Sequence, residues 1–300
     1  MNRLFFPLVF ILLMPFFTKG KETIILTEKQ ESILFKGKYL DFLEDPSGKL
    51  NISDVSSSYY QQKFNLGKEE DFIQGNENLS SSYWLRINIR NTSRENLNYV
   101  TELYDFRIAY YEFYLVKNGI VVFSGKGGAD YNFYSKEIIH KNYVDLLPLN
   151  SIGDYTIFYK IKSSHPVSFI GQIRTFEKLV NYSNSEYFLL ALFYGAVLSL
   201  AIYNFFIFIA VGDRAYLYFV LYILSIAFYS LSLDGLGFQY LWSNFPIVNN
   251  YIFNLSDFFV MFWMLLYSRR FLDTKNSLKI IDKVILLILF KNSTNWNSFG

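Results

Sequence analysis

The chain has 300 residues, a formal net charge of +2, and a hydrophobic fraction of 52%. The charge leaves no basic surplus for nucleic acid binding, and the lack of cysteine excludes disulfides and thiolate metal sites. Two histidines, His140 and His165, are too few for a usual zinc site, so we expect neither a metal nor a cofactor.

The N-terminus is typical of an export signal. Arg3 precedes an apolar run over residues 4–17, and the small residues Thr18 and Gly20 follow it. This pattern predicts a secretory signal peptide at residues 1–20. The alternative is an uncleaved signal anchor, which the shortness of the run and the prolines within it disfavour.

Residues 21–180 show the alternating pattern of β-strands. Apolar and polar residues alternate from Leu85 to Arg90, and Asn118-Gly119 separates two β-prone runs. An Asn-Gly pair favours a type I′ hairpin turn, because both residues tolerate positive φ. We therefore predict an all-β extracytoplasmic sandwich of about eight strands, of the jelly-roll kind.

The alternating strand also supplies the candidate ligand-binding residues, Trp84, Arg86 and Arg90. Exposed aromatic rings and arginines on such a sheet could contact a sugar or an anionic ligand. The alternatives are a core position for Trp84 and a solvated polar face for both arginines, and these are the favoured interpretations. The carboxylates are scattered and define no catalytic pair, so we expect no catalytic residue and no enzymatic activity in this chain.

The C-terminal third is membrane-like, because Asp213, Arg214, Asp234 and Asp257 are the only charged residues between positions 187 and 267. We predict spans at 187–211, 215–233 and 251–267, with part of a fourth at 280–290.

The positive-inside rule places Arg214 and the pair Arg269-Arg270 in the cytoplasm. The loop over residues 234–250 then lies outside, with its aromatic rings at the membrane interface. This orientation agrees with export of residues 21–180. We therefore expect a multi-pass protein of the cytoplasmic (inner) membrane, with the lipid bilayer as a partner.

Two sets of residues within the spans have candidate roles. Ala191, Gly195 and Ser199 lie four residues apart on one helix face, where small side chains allow close packing and a homodimer seam. Asn204 and Asp257 are polar groups within the membrane, which act either as hydrogen-bond partners between helices or as functional groups. Packing is the favoured interpretation for both sets, and we expect Asp257 in a wet bundle interior.

The last ten residues, 291–300, have the character of neither a span nor a domain. We predict an aberrant tail here, produced by truncation or by a frameshift near residue 290. The bundle would then be incomplete, with three full spans and part of a fourth.

Several stretches together resemble bacterial seven-transmembrane receptors with diverse intracellular signalling modules. They are residues 45–52, 83–91 and 108–124 in the outer domain, and Phe193-Tyr194-Gly195, Tyr203-Asn204, residues 213–218 and residues 235–242 in the membrane part. The resemblance implies an extracellular jelly-roll domain that binds a carbohydrate or another small ligand. It also implies a cytoplasmic output module, such as a kinase, a diguanylate cyclase or a phosphatase, which this sequence does not contain.

Two functional hypotheses follow. The first is a membrane sensor in which an outer ligand shifts a helix bundle between two states. The second is a membrane-tethered carbohydrate-binding or adhesion module whose helices only anchor it. The intramembrane polar residues favour the sensor, and too few polar groups line the spans for a transporter.

Overall fold

The computed structural model describes residues 22–28, 31–67, 72–93 and 98–294, and side chains up to residue 289. A sheet-rich N-terminal region precedes a helical C-terminal region. The predicted signal peptide at residues 1–20 lies outside the described residues.

The described residues form twelve strands rather than about eight. In chain order they are β1 (Thr23–Leu26), β2 (Ser32–Phe35), β3 (Asp41–Asp45), β4 (Gln74–Gly75), β5 (Ser82–Asn91), β6 (Tyr99–Leu103), β7 (Tyr110–Lys117), β8 (Ile120–Gly127), β9 (Tyr143–Leu147), β10 (Gly153–Lys162), β11 (Ser168–Phe169) and β12 (Gly171–Thr175). Several of them are too short for hydrophobic periodicity to detect.

The strands form two main sheets. The first has the order β1-β5-β10-β7-β8, with β3 paired beside β1 on the same edge of β5. The second has the order β2-β12-β6-β9, and β4 pairs with β11 apart from both. All pairs are antiparallel except β1 with β5. This arrangement confirms the β-sandwich, while the jelly-roll topology stays a prediction.

The core lies between the two sheets and is rich in aromatic rings. Phe113 and Tyr159 of the first sheet are completely buried, and so is Ile173 of the second. The rings of Phe113 and Tyr159 lie 5.1 Å apart, the spacing of a favourable aromatic pair. Most aromatic residues of this region therefore serve the core.

The outer face of the first sheet is covered by residues 49–67, which include the short helices α1 (Ile52–Ser56) and α2 (Ser58–Gln61). Asn51 caps α1 in a capping box with Asp54, which fixes where the helix begins. Val55 and Phe64 then pack against Trp84 in a second apolar cluster. Because of this cover, β5 is buried on both faces.

The predicted hairpin is confirmed. Strands β7 and β8 are joined by Asn118 and Gly119, whose φ values are 51° and 77°. Both residues take the left-handed conformation that a type I′ turn requires. The turn places β8 beside β7, as the last strand of the first sheet.

The helical region contains α3 (Phe176–Val211), α4 (Arg214–Leu233), α5 (Leu236–Tyr240), α6 (Asn249–Phe271), α7 (Thr274–Ser277) and α8 (Lys279–Thr294). Among the described residues, three helical segments are long and apolar enough to cross a membrane: Phe176–Val211, Arg214–Leu233 and Pro246–Phe271. They contain the three predicted spans. Helix α8 runs through the predicted partial span at 280–290 and into the first residues of the predicted tail at 291–300.

The basic residues predicted to face the cytoplasm come together at one end of the bundle. Arg270, in the last turn of α6, forms an ion pair of 3.1 Å with Asp213, in the turn between α3 and α4. The sandwich meets the opposite ends of these helices. The arrangement is therefore that of a multi-pass membrane protein with an external domain.

Candidate functional site

Trp84 is completely buried rather than available as a ligand platform. Its ring stacks with that of Tyr114 at a centroid distance of 6.1 Å, and the Lys160 ammonium lies 5.6 Å from the ring centre. Trp84 is therefore a core residue, as the favoured interpretation predicted.

Arg86 and Arg90 have different surroundings, although both point to the same side of β5. Arg86 is 3% exposed, forms a 2.7 Å ion pair with Asp41, and donates to the side-chain oxygen of Gln61 at 2.7 Å. The expectation of a solvated face is therefore corrected for Arg86, because residues 49–67 cover it. Arg90 is exposed and pairs with Asp154 at 2.7 Å, which fits the solvated face.

The two intramembrane polar residues also differ. Asn204 is buried, and its amide donates to the Leu200 carbonyl of its own helix at 2.9 Å. Asp257 is exposed on α6. We expected Asp257 in the bundle interior, and this expectation is wrong for the helices that the structure describes. The Asp257 side chain points away from those helices.

The face formed by Ala191, Gly195 and Ser199 is exposed in the part of the chain that the structure describes. A Cβ atom added at Gly195 would meet nothing within 4 Å, and the Ser199 hydroxyl donates to the Gly195 carbonyl at 2.8 Å. Packing of this face against another helix of the same chain is therefore not seen among the described residues.

The structure reveals a different candidate site, where the sandwich meets the helices. Strand β12 ends at Thr175, and α3 begins at the next residue, so no linker separates sheet from helix. The Thr175 hydroxyl accepts from the Lys178 amide at 3.2 Å and caps the helix. Strand β12 and the first membrane helix are therefore directly continuous along the chain.

Buried charges surround this transition. We call the junction the set formed by Glu102, His140, Lys141, Arg174, Glu186 and Tyr187. Arg174 and Glu102 are both buried, on the neighbouring strands β12 and β6, and their side chains form an ion pair of 2.9 Å. Burial raises the pKa of Glu102, and the positive charge of Arg174 opposes that rise.

Both members of this pair make further contacts. The Asn142 amide donates to Glu102 at 2.7 Å, and Arg174 donates to the Tyr104 hydroxyl at 2.8 Å. The Arg174 guanidinium also lies 4.5 Å from the ring centre of Tyr182, on the first turns of α3. The pair therefore links the sheet with the helix that follows it.

His140 is neutral in the junction. Burial, with the positive charges of Lys141, Lys136 and Arg174, lowers the pKa of His140 to about 3. Its Nδ1 accepts from the Asn142 backbone amide at 3.1 Å, so the ring proton lies on Nε2, 3.1 Å from the Ser183 hydroxyl. Ser183 in turn donates to the Leu179 carbonyl, which completes a chain from the loop before β9 to α3.

Lys141 extends the junction towards the other helices. Its ammonium forms a 3.0 Å ion pair with Glu186, and its backbone amide donates to the Tyr187 hydroxyl at 3.2 Å. Tyr187 donates onward to the side chain of Gln239 on α5 at 2.9 Å. One residue of the sandwich thus contacts α3 directly and α5 through Tyr187.

The loop between α4 and α6 packs against the sandwich. Phe238 and Trp242 are buried, and the Phe238 ring meets that of Phe133 edge-on at 5.3 Å. The prediction that the aromatic rings of residues 234–250 lie at the membrane interface is therefore corrected for these two, while Tyr240 and Phe245 are exposed.

The start of α6 is also tied to the sandwich. Asn249 accepts from the Trp242 indole nitrogen at 2.8 Å and donates to the Ala129 carbonyl at 3.0 Å. The Phe253 ring packs 5.3 Å from that of Phe106. The outer ends of α3, α5 and α6 thus all contact the sandwich through buried groups.

Sequence reasoning missed the junction. Glu102 lies in Tyr99–Leu103 and Arg174 in Gly171–Thr175, so each is a charge within a short strand. Their neighbours Leu103 and Ile173 point into the core between the sheets, so alternation along each strand places Glu102 and Arg174 on the outer face, where a charge is normally solvated. The sequence therefore did not disclose that these two charges are buried, or that they pair across strands far apart in the chain.

Comparisons with solved structures give distant matches. They include the β-glucuronidase of Ruminococcus gnavus in complex with D-glucuronic acid, at 11% identity and a TM-score of 0.25. The first match covers 49% of this chain and 30% of the enzyme. The same enzyme in complex with D-glucaro 1,5-lactone matches at 12% identity and a TM-score of 0.24, over 50% of this chain and 31% of the enzyme. At this TM-score the likeness supports no statement on fold or function. No curated protein matches the chain.

Two protein-family models match consecutive parts of the chain. The model described as 7TMR-DISM extracellular 2 matches residues 37–175, and the model described as 7TM diverse intracellular signalling matches residues 186–294. The boundary between them falls within the first turns of α3, at the junction. The chain belongs to the seven-transmembrane receptors with diverse intracellular signalling modules, and it comprises the extracellular domain and the N-terminal part of the membrane domain.

Proposed function

We propose that the chain is the sensing part of a receptor in which the junction carries a ligand-induced change from the sandwich to the membrane helices. The observation that carries this proposal is the Arg174–Glu102 ion pair, buried on the strand that continues into α3. A buried pair is sensitive to small displacements, because separating its charges leaves each of them desolvated.

The ligand in this proposal is a small carbohydrate that binds the external sandwich. It shifts the helices only by its differential affinity for two conformations of the domain. The helices then act on a cytoplasmic output module. The part of the chain described here binds and transmits, and it catalyses no reaction.

The proposed location is the cytoplasmic membrane of a bacterium, with residues 1–20 serving as the signal peptide. The series of hydrogen bonds from Lys141 to Tyr187 and on to Gln239 favours a sensor that transmits a change to the helices over a module that the helices only tether. A tethered adhesion module would need one span and no buried charges at the junction.

The coupling can be tested without a ligand. The chain has no cysteine, so Val211→Cys and Phe271→Cys give unique spin-label sites at the exposed cytoplasmic ends of α3 and α6. We expect Glu102→Gln to change the distance distribution between the labels in lipid nanodiscs. The matched control, Asp154→Asn, breaks an exposed pair remote from the junction and leaves the distribution unchanged. An unchanged distribution in Glu102→Gln would support the tethered module instead.

A further inference from the structure

A small cavity opens at the edge of the sandwich, where β8 of the first sheet faces β9 of the second. Its volume is about 110 Å³. A water molecule needs roughly 10–15 Å³ of such volume, so the cavity holds several waters or a small solute. The lining residues that matter here are Tyr111, Lys126, Tyr131, Ser135, Lys136, Glu137 and Asp145.

Asp145 forms the floor of the cavity. It is 5% exposed, and its carboxylate accepts hydrogen bonds from the hydroxyls of Tyr111 at 3.2 Å and Tyr159 at 3.4 Å. Burial raises the pKa of Asp145 to about 7, and the negative charge of Glu137 acts in the same direction. A buried carboxyl group with remaining acceptor capacity, facing a cavity, is suited to hydrogen-bond donors from a ligand.

Glycines in β8 keep the wall beside this carboxyl group thin. A Cβ atom at Gly125 would lie 3.0 Å from the Asp145 carboxylate, and one at Gly127 would lie 2.8 Å from the Tyr111 ring. Both glycines point inward, while Ser124 between Gly125 and Phe123 is exposed. Any side chain at the two glycine positions would push against the two polar groups at the cavity floor.

The lining combines donors and acceptors without a surplus of either charge. Lys126 and Lys136 oppose Glu137 and Asp145, and Tyr131 adds an aromatic ring. The Lys126 ammonium lies 5.9 Å from the centre of that ring. Balanced charges, hydroxyls and an aromatic face suit a neutral molecule that carries several hydroxyl groups, because such a ligand both donates and accepts.

Lys136 connects the cavity with the junction. Its ammonium donates to the backbone carbonyls of His140 at 2.8 Å and of Lys141 and Asn142 at 3.3 Å. His140 and Lys141 belong to the junction, and Asn142 donates to Glu102. A ligand that displaces Lys136 therefore changes the loop that contacts α3.

From this geometry we infer that the cavity is the binding site for a small neutral polyhydroxylated ligand, which Asp145 and Tyr131 contact. Binding of this ligand displaces Lys136 and thereby changes the junction. This inference rests on the proposed sensor function and gives it a site and a route.

Binding to the whole chain in nanodiscs tests the site. The probes are a fixed panel of neutral monosaccharides and alditols of four to six carbons, measured by isothermal titration calorimetry. We expect at least one member to bind the wild type and to lose about tenfold or more in affinity in Asp145→Asn, since each removed charged hydrogen bond is worth about one such factor. Ser135→Trp, which narrows the entrance, should weaken binding in the same way.

Two matched controls keep the result specific. Asp154→Asn makes the same chemical change at an exposed site, and Ser124→Trp adds the same ring on the opposite face of β8. Both should bind like the wild type. Ser135→Trp also preserves the test if Asp145→Asn does not fold.

The outcomes separate the site from the sensor. Binding by no panel member, or binding that neither cavity variant weakens, overturns the cavity inference and leaves the ligand-free coupling result standing. Binding that depends on the cavity, combined with no effect of Glu102→Gln on the helix ends, supports the cavity as a site and overturns the sensor.

Discussion

Arg174 lies two residues before the first membrane helix begins, and its guanidinium is 2.9 Å from the carboxylate of Glu102 on the neighbouring strand. Both side chains are almost fully buried. The pair therefore stands where the sheet ends and the membrane helix starts. The external domain and the helices meet through charges that water cannot screen.

Removing one partner should destabilise the protein strongly. Arg174→Met leaves Glu102 buried without its counter-ion, and we expect a loss of about 3–5 kcal/mol in the free energy of unfolding. The double variant Arg174→Met with Glu102→Gln should lose less than the sum of the single variants. Denaturant unfolding of the sandwich measures this cycle, and strictly additive losses would contradict the pairing.

His140 should make the free energy of unfolding depend on pH in the acidic range. Its pKa falls from 6.5 in the unfolded chain to about 3 in the folded protein, so the unfolded state binds more protons between these values. The contribution of His140 is therefore complete above pH 6.5 and is lost as the pH falls towards 3. Thermal midpoints of wild type and His140→Gln should diverge below pH 6.5, and parallel curves would contradict the buried neutral ring.

Asp145 should make the free energy of unfolding depend on pH in the opposite direction to His140. Its pKa rises from 3.8 to about 7 on folding, so the folded state holds the proton more tightly within that window. Stability from this group is therefore complete below pH 4 and falls as the pH rises to 7. Asp145→Asn should be more stable than the wild type at pH 8 and similar to it at pH 4, measured by thermal unfolding at both values.

The free face of α3 should pack against a second copy. Because a Cβ atom added at Gly195 meets nothing within 4 Å among the described residues, Gly195→Leu should leave the fold intact but prevent close approach of two helices. Disulfide crosslinking through Ser199→Cys in the membrane should decrease about tenfold in the Gly195→Leu background. Phe193→Cys is the control, since it lies on the opposite side of the helix. Equal crosslinking from both cysteines would contradict a specific seam.

The sequence predicted those parts of the fold that depend on local patterns. The Asn118-Gly119 turn and the three apolar spans follow from backbone preference and from span length, and the structure contains them. Arg86 and Phe238 were misplaced for a shared reason. Each is covered by a segment distant in the chain, residues 49–67 for Arg86 and the sandwich for Phe238, and periodicity carries no information on such contacts.

The two candidate sites are formed by residues that are far apart in the sequence, so they were even harder to predict. Glu102 and Arg174 are brought together by the pairing of β6 with β12, although seventy-one residues separate them along the chain. Asp145 faces Tyr111 and Tyr159 only because the two sheets are stacked. No local pattern marks either arrangement before the topology is known.

In the proposed sensor, ligand binding to the sandwich changes the arrangement of the helices through the junction. The most direct test of this coupling is the distance between spin labels at Val211→Cys and Phe271→Cys, with and without a saturating panel sugar. We predict a ligand-dependent shift in the wild type and no shift in Glu102→Gln, although that variant still binds the sugar. An unchanged distance in the saturated wild type, or an equal shift in Glu102→Gln, would contradict the account.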